Sequence, residues 1–134
     1  MTVVLCADDR GGLSFHGRRQ SRDRLVYEDL LSQAAGRLLW VEPCSRPLFP
    51  QASGAVRTAE EPWTQAGAED LCFLELQDPA PALARADQLV VYRWNRHYPS
   101  DRKLLLPPEG WTLTSRTEFP GHSHDVITKE IYQR

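Results

Sequence analysis

Asp87-Gln88-Leu89-Val90-Val91-Tyr92-Arg93-Trp94-Asn95 is the stretch on which the fold turns. Leu89 to Tyr92 form an unbroken apolar run between an acidic turn and a basic loop. A short continuous apolar run bounded by turn signals predicts a strand buried on both faces. Read this way, Gln88 to Asn95 is the middle strand of a sheet, with helices on either side.

Working outward, Pro79 to Arg85 reads as a short helix, with Pro79 near its first turn. Leu71 to Leu76 is a third strand. Beyond the Pro-rich loop, Trp111 to Phe119 and His124 to Tyr132 alternate with period two, and Pro120-Gly121 marks the end of their hairpin. At the other end, Thr2 to Ala7 is a β-branched apolar strand, stopped by Asp8-Asp9-Arg10-Gly11-Gly12. Ser21 suits a helix N-cap, and Asp23 then falls in the first turn, where the helix dipole favours a carboxylate. Leu25, Val26, Leu30, Leu31 and Ala34 share one helical face, and Gly36 ends it. Leu38 to Val41 is the second strand, and Ser45 to Phe49 suit one helical turn. Gln51 to Glu69 shows no period and reads as a long surface loop, with a turn of helix near Glu60. The order is β-α-β-loop-β-α-β-β-β. It predicts one α/β domain over 1–134: a mixed sheet of about six strands with a C-terminal antiparallel hairpin and two or three helices.

A chain of 134 residues, 41% hydrophobic and 25% charged, can form one self-sufficient core. The formal net charge of -2 implies no global attraction to nucleic acid or an anionic membrane. No apolar run approaches the ~20 residues of a bilayer span. Met1-Thr2-Val3-Val4-Leu5 has no basic n-region. Cys6, Cys44 and Cys72 are widely spaced and odd in number, which fits a reducing cytoplasm.

The last third resembles dihydrofolate reductase. The residues that carry the resemblance are Ala86-Asp87-Gln88-Leu89, Trp111, Ser115, Glu118-Phe119, Ser123-His124-Asp125 and the closing Ile131-Tyr132-Gln133-Arg134. The first third agrees in outline, from strand Val3–Ala7 through Asp9-Arg10-Gly11-Gly12 to an acid at a helix start. The resemblance implies a reductase-like fold. It also implies that Asp23 stands where the family's acid binds and helps protonate the pterin. The departures fall on the cofactor side. Arg18-Arg19-Gln20-Ser21 replaces the family's Leu-Pro-Trp, and Glu42-Pro43-Cys44-Ser45 replaces its Gly-Arg-x-Thr. Glu75-Leu76-Gln77-Asp78 stands where a Gly-Gly pair admits the dinucleotide pyrophosphate. Residues 51–69 are also too few for the part that binds adenosine. Dinucleotide-dependent reduction is therefore not expected, and no cofactor is assigned.

Gly17-Arg18-Arg19-Gln20-Ser21-Arg22-Asp23 and Tyr92 to Pro99 also resemble stretches of short bacterial proteins labelled ribonuclease Z, which would imply RNA processing. That enzyme's His-x-His-x-Asp-His is not met. In His122-Ser123-His124-Asp125 the Asp comes one place early and the last His is missing.

Two basic clusters carry the candidate site. Arg18, Arg19, Arg22 and Arg24 surround the first helix start, and Arg93, Trp94, Asn95, Arg96, His97 and Tyr98 follow the middle strand. Loops at the C-terminal ends of parallel strands are where α/β folds bind ligands, and arginines suit phosphate or carboxylate. Both clusters follow strands predicted to be adjacent, so they are expected to converge. The expected ligand is small and anionic, nucleotide- or pterin-like, held by Arg18, Arg19, Arg22, Arg93, Trp94, Asn95, Arg96 and His97 and oriented by Asp23. The alternatives are a nucleic acid on the same clusters, or a protein partner, including a second copy paired at the sheet edge. His122, His124 and Asp125 could offer two metal ligands from one strand face. A third would have to come from His16 or His97, and no metal is assigned. Ser21 and Cys44 have no identifiable His partner for nucleophilic work.

Overall fold

The computed structural model describes residues 1–51 and 54–134. The strands are β1 (Thr2–Ala7), β2 (Gly12–Phe15), β3 (Arg18–Arg19), β4 (Leu39–Val41), β5 (Val56–Thr58), β6 (Leu71–Phe73), β7 (Gln88–Arg93), β8 (Arg102–Lys103), β9 (Thr112–Phe119) and β10 (Ile127–Gln133). The helices are α1 (Arg24–Gln33) and α2 (Ala80–Leu83), with 3-10 turns at Pro43–Leu48 and Pro62–Thr64.

A seven-stranded sheet runs β5-β4-β6-β1-β7-β10-β9, beside a small sheet β3-β2-β8. β1 lies parallel to β6 and β7, and β4 lies parallel to β5 and β6. β10 returns antiparallel between β7 and β9. The Leu89–Tyr92 run is fully buried, as its composition requires. The middle position, however, belongs to β1.

Strand alternation divides the core. Val4, Cys6, Val90 and Tyr92 face Val26, Tyr27 and Leu30 of α1. Val3, Leu5, Leu89 and Val91 face Ala82 and Leu83 of α2, with Trp63 and Trp111. Burial of each large apolar side chain contributes about 1.5–3 kcal/mol, which fastens a helix to each face.

Four expectations are corrected, each for a local reason. Segment 51–69 is not wholly a surface loop: Val56–Thr58 adds the edge strand β5, and Trp63 enters the core. A three-residue strand is too short to show a period in sequence. The N-cap of α1 is Asp23, whose carboxylate accepts the Leu25 N–H at 3.0 Å; the Ser21 hydroxyl is engaged elsewhere. β6 stops at Phe73: Leu74 N–H still reaches the Val4 carbonyl, but the amides from Glu75 to Gln77 turn to the Glu42 carboxylate. β10 starts at Ile127, after His124, because the His122, Ser123 and His124 amides donate to Asp23 and not to a neighbouring strand. β9, the last strand of the large sheet, is exposed on both faces except at Phe119. Among the described residues no helix is long and apolar enough to cross a membrane.

Candidate functional site

The loops at the C-terminal ends of β1 and β7 are tied together by Asp8. Its carboxylate accepts the N–H groups of Arg10 and Gly12, both at 2.8 Å, then Tyr98 N–H at 3.1 Å and Gln20 Nε2 at 3.2 Å. Asp9 N–H donates to the Arg96 carbonyl at 2.9 Å. The two sequence clusters therefore do meet in space, but through buried carboxylates and backbone rather than through their arginines.

Asp23 is the centre of a second knot. Oδ1 accepts Leu25 N–H and His122 N–H; Oδ2 accepts Ser123 N–H, His124 N–H and His124 Nδ1, all at 2.8–3.1 Å. Burial alone would raise this carboxyl, but the hydrogen bonds from His122, His124, Ser123 and Leu25 outweigh it and hold the pKa at about 2. The loop comes this close only because residue 121 is glycine. A Cβ there would lie 2.6 Å from Asp23 Oδ2 and 2.7 Å from the His124 carbonyl. His124 is itself buried and stacks on Trp94, with ring centroids 4.7 Å apart. Its Nε2 meets Tyr98 Oη at 2.9 Å and Ser21 Oγ at 3.2 Å.

A third knot closes the end of β6. The Glu42 carboxylate accepts three consecutive backbone N–H groups, from Glu75 at 2.6 Å, Leu76 at 3.1 Å and Gln77 at 3.0 Å. Successive N–H groups of this kind form an anion-binding concavity, and here the chain's own carboxylate fills it. Glu75 points inward. It receives Arg19 Nε at 3.1 and 3.2 Å, Arg19 Nη2 at 3.1 Å and Ser45 Oγ at 2.6 Å. Burial would lower the Arg19 pKa, but the Glu75 contacts raise it, so the guanidinium stays charged. The space enclosed by Cys6, Leu13, Ser21, Leu74, Glu75 and Trp94 is about 10 Å³, too small for a cofactor ring.

Beside these knots lie two open hollows. A groove of about 550 Å³ runs between α1 and the Pro43–Leu48 turn, with Tyr27, Leu31, Leu48 and Phe49 as its apolar floor and Arg22, Arg24 and His122 among its walls. The Tyr27 hydroxyl is buried and has no hydrogen-bond partner among the described residues. A hollow of about 460 Å³ lies among Phe15, His16, Arg18, Gln20 and Tyr98. There the Phe15 and His16 rings stack with centroids 3.7 Å apart.

The residues expected to bind ligand are thus dispersed. Arg22 lines the groove, while Arg18 and Arg19 line the second hollow. Arg93 lies on the opposite sheet face, beside Leu89 and Val91, where its Nε donates to Glu130 at 2.7 Å. Trp94 is buried under His124. Asn95 takes a positive φ of 58° and donates to Val126 O and Thr128 Oγ1. Arg96 is exposed, and exposed His97 approaches Asp8 at 3.8 Å. Convergence of all eight on one ligand is not what the geometry provides, because strand alternation and ion pairing turn Arg93 and Arg19 away from a common point. His122 and His124 share no strand face either: one is exposed and the other buried in a loop. Among the described residues no group of three or more His, Cys, Asp or Glu is placed to hold a metal ion. Glu42, Glu75, Tyr27 and the Ser21–His124 pair were not legible as site residues. Glu42, Glu75 and Ser21 each meet a partner 30 or more positions away: Glu42 on the Glu75 amide, Glu75 on the Ser45 hydroxyl, and Ser21 on His124.

The fold is similar to that of a dihydrofolate reductase from Enterococcus faecalis complexed with NADP(H) and RAB-propyl. The TM-score is 0.67 and the identity 10%, over 99% of this chain and 95% of that one. No protein-family model matches the chain, and no curated protein does. The chain has a dihydrofolate reductase-like fold, and at that identity the likeness extends to the fold alone.

Proposed function

We propose that this reductase-fold protein binds a small anionic, ring-bearing ligand, nucleotide- or pterin-like, in the groove between α1 and the Pro43–Leu48 turn, without dinucleotide-dependent reduction. The observation that carries the reading is the composition of that groove. It sets the exposed cations Arg22 and Arg24, the latter paired with Glu28 at 3.2 Å, beside an apolar, aromatic floor formed by Tyr27, Leu31, Leu48 and Phe49. Apolar surface with a few convergent polar groups is the usual make-up of a ligand site. Against hydride transfer stand the Glu42 carboxylate on the amides that follow β6 and the side chains that fill the interior space. By the resemblance to reductases, the amides after β6 stand where a Gly-Gly pair would admit a pyrophosphate.

Calorimetric titration with nucleotides, folates and pterins tests the reading. At least one anionic ligand is expected to give heat, and Arg22→Ala to weaken it about tenfold or more, since a hydrogen bond to a charged group contributes ~1.5–3 kcal/mol. NADPH is expected to give no thermal shift. No heat with any compound would sink the proposal. So would binding confined to oligonucleotides with an affinity that falls steeply with salt, which would point to a nucleic-acid surface.

A further inference from the structure

Ser21, His124 and Asp23 come from two distant parts of the chain and meet in one line of hydrogen bonds. Asp23 Oδ2 lies 3.0 Å from His124 Nδ1, and His124 Nε2 lies 3.2 Å from Ser21 Oγ. The Asp23 carboxylate accepts only, so Nδ1 carries the ring proton and Nε2 of the neutral imidazole is left as an acceptor. In that tautomer the Ser21 and Tyr98 hydroxyls both face a nitrogen able to accept a proton, at 3.2 and 2.9 Å. The acid and the imidazole are both buried, while Ser21 is half-exposed. An acid that fixes tautomer and orientation, an imidazole base and a serine hydroxyl within reach of it form the arrangement that activates a serine, and it is recognised by geometry rather than by fold.

We propose that Ser21 is a nucleophile, activated by His124 and positioned through Asp23, in the cleavage of a small activated ester. Ser21 Oγ bonds to the acyl carbon while its proton moves to His124 Nε2. The resulting imidazolium is paired with Asp23. The carbon–oxygen bond to the leaving alcohol breaks, and the alcohol takes that proton. Water then bonds to the acyl carbon while giving a proton to the same Nε2; the bond from that carbon to Ser21 Oγ breaks, Oγ takes the proton back, and the free acid leaves. If the groove reading also holds, the ester carries an anionic end against Arg22. Asp23 is here a positioning residue, and Tyr98, whose hydroxyl lies 2.9 Å from Nε2, competes with Ser21 for the base.

The test is a fluorophosphonate probe, followed by intact mass and peptide mapping. Ser21 Oγ would bond to phosphorus and fluoride would leave. The native protein is expected to gain one adduct, on Ser21, and the guanidinium-denatured chain none. Ser21→Ala is expected to abolish it. His124→Ala is expected to slow it by ~10²-fold or more, with added imidazole restoring part of the rate, but not when Asp23→Asn is also present. Tyr98→Phe is expected to keep or raise the rate. The proposal is overturned by a native protein that takes no adduct, or by an adduct on Tyr98 or another serine instead. A folded His124→Ala labelled at the wild-type rate would overturn it as well. Labelling does not depend on what the groove binds, so its failure and that of the ligand titration are separable.

Discussion

A single carboxylate, Asp23, joins the start of α1 to the loop that precedes β10. Five donors converge on its two oxygens. An asparagine would keep the shape, lose the charge and turn an N–H₂ toward amides that are themselves donors. Asp23→Asn is expected to destabilise the protein by about 2–4 kcal/mol in urea unfolding at neutral pH, because buried donors are left unpaired. A loss under about 0.5 kcal/mol would show that water replaces those bonds easily. The resemblance to reductases singled out this acid from the sequence, but its surroundings were not readable there. Its loop donors lie about a hundred residues away.

Between elements, the Glu42 side chain at the end of β4 is a clasp on the chain leaving β6. It occupies three amides that would otherwise form an open anion nest. Glu42→Ala is expected to cost about 2–3 kcal/mol, and the melting temperature of the variant should rise with added phosphate more than that of the parent. Equal response of the two proteins to phosphate would mean that the nest collapses when the carboxylate is removed. The sequence pattern Glu42-Pro43 showed where β4 stops. It could not show that the carboxylate reaches 33 positions ahead to Glu75.

Across the whole molecule, acid stability should reflect carboxylates held low in the folded state. Asp23 is the strongest case, at about 2 against an ordinary 3.8. Asp8 and Glu130 are also lowered. In each, burial opposes the shift and is outweighed: by Arg10, Gly12, Tyr98 and Gln20 for Asp8, and by Arg93, Arg116 and Tyr132 for Glu130. A depressed folded pKa contributes stability that is complete above the unfolded value and lost as pH falls through the folded one. For Asp23 that window runs from about 4 down to about 2, and the contribution is about 2 kcal/mol. Unfolding free energies measured between pH 5 and pH 2 should therefore fall steeply, and Asp23→Asn should flatten the slope. A pH-independent free energy across that range would contradict the assignment.

The sequence by itself determined the layered α/β plan. Unbroken apolar runs such as Thr2–Ala7 and Leu89–Tyr92 have only one cheap solution, a strand covered on both faces, and the helical face of Val26 and Leu30 supplies one cover. These are local signals, written within a few residues. The central place of β1, the edge strand β5 and the site were decided by tertiary structure alone. Crossover order sets which strand is flanked by which, and strand alternation sent Arg93 to the far face. The partners of Asp23, Glu42 and His124 are long-range, so burial and hydrogen bonding across the fold decided which polar residues are locked and which face solvent.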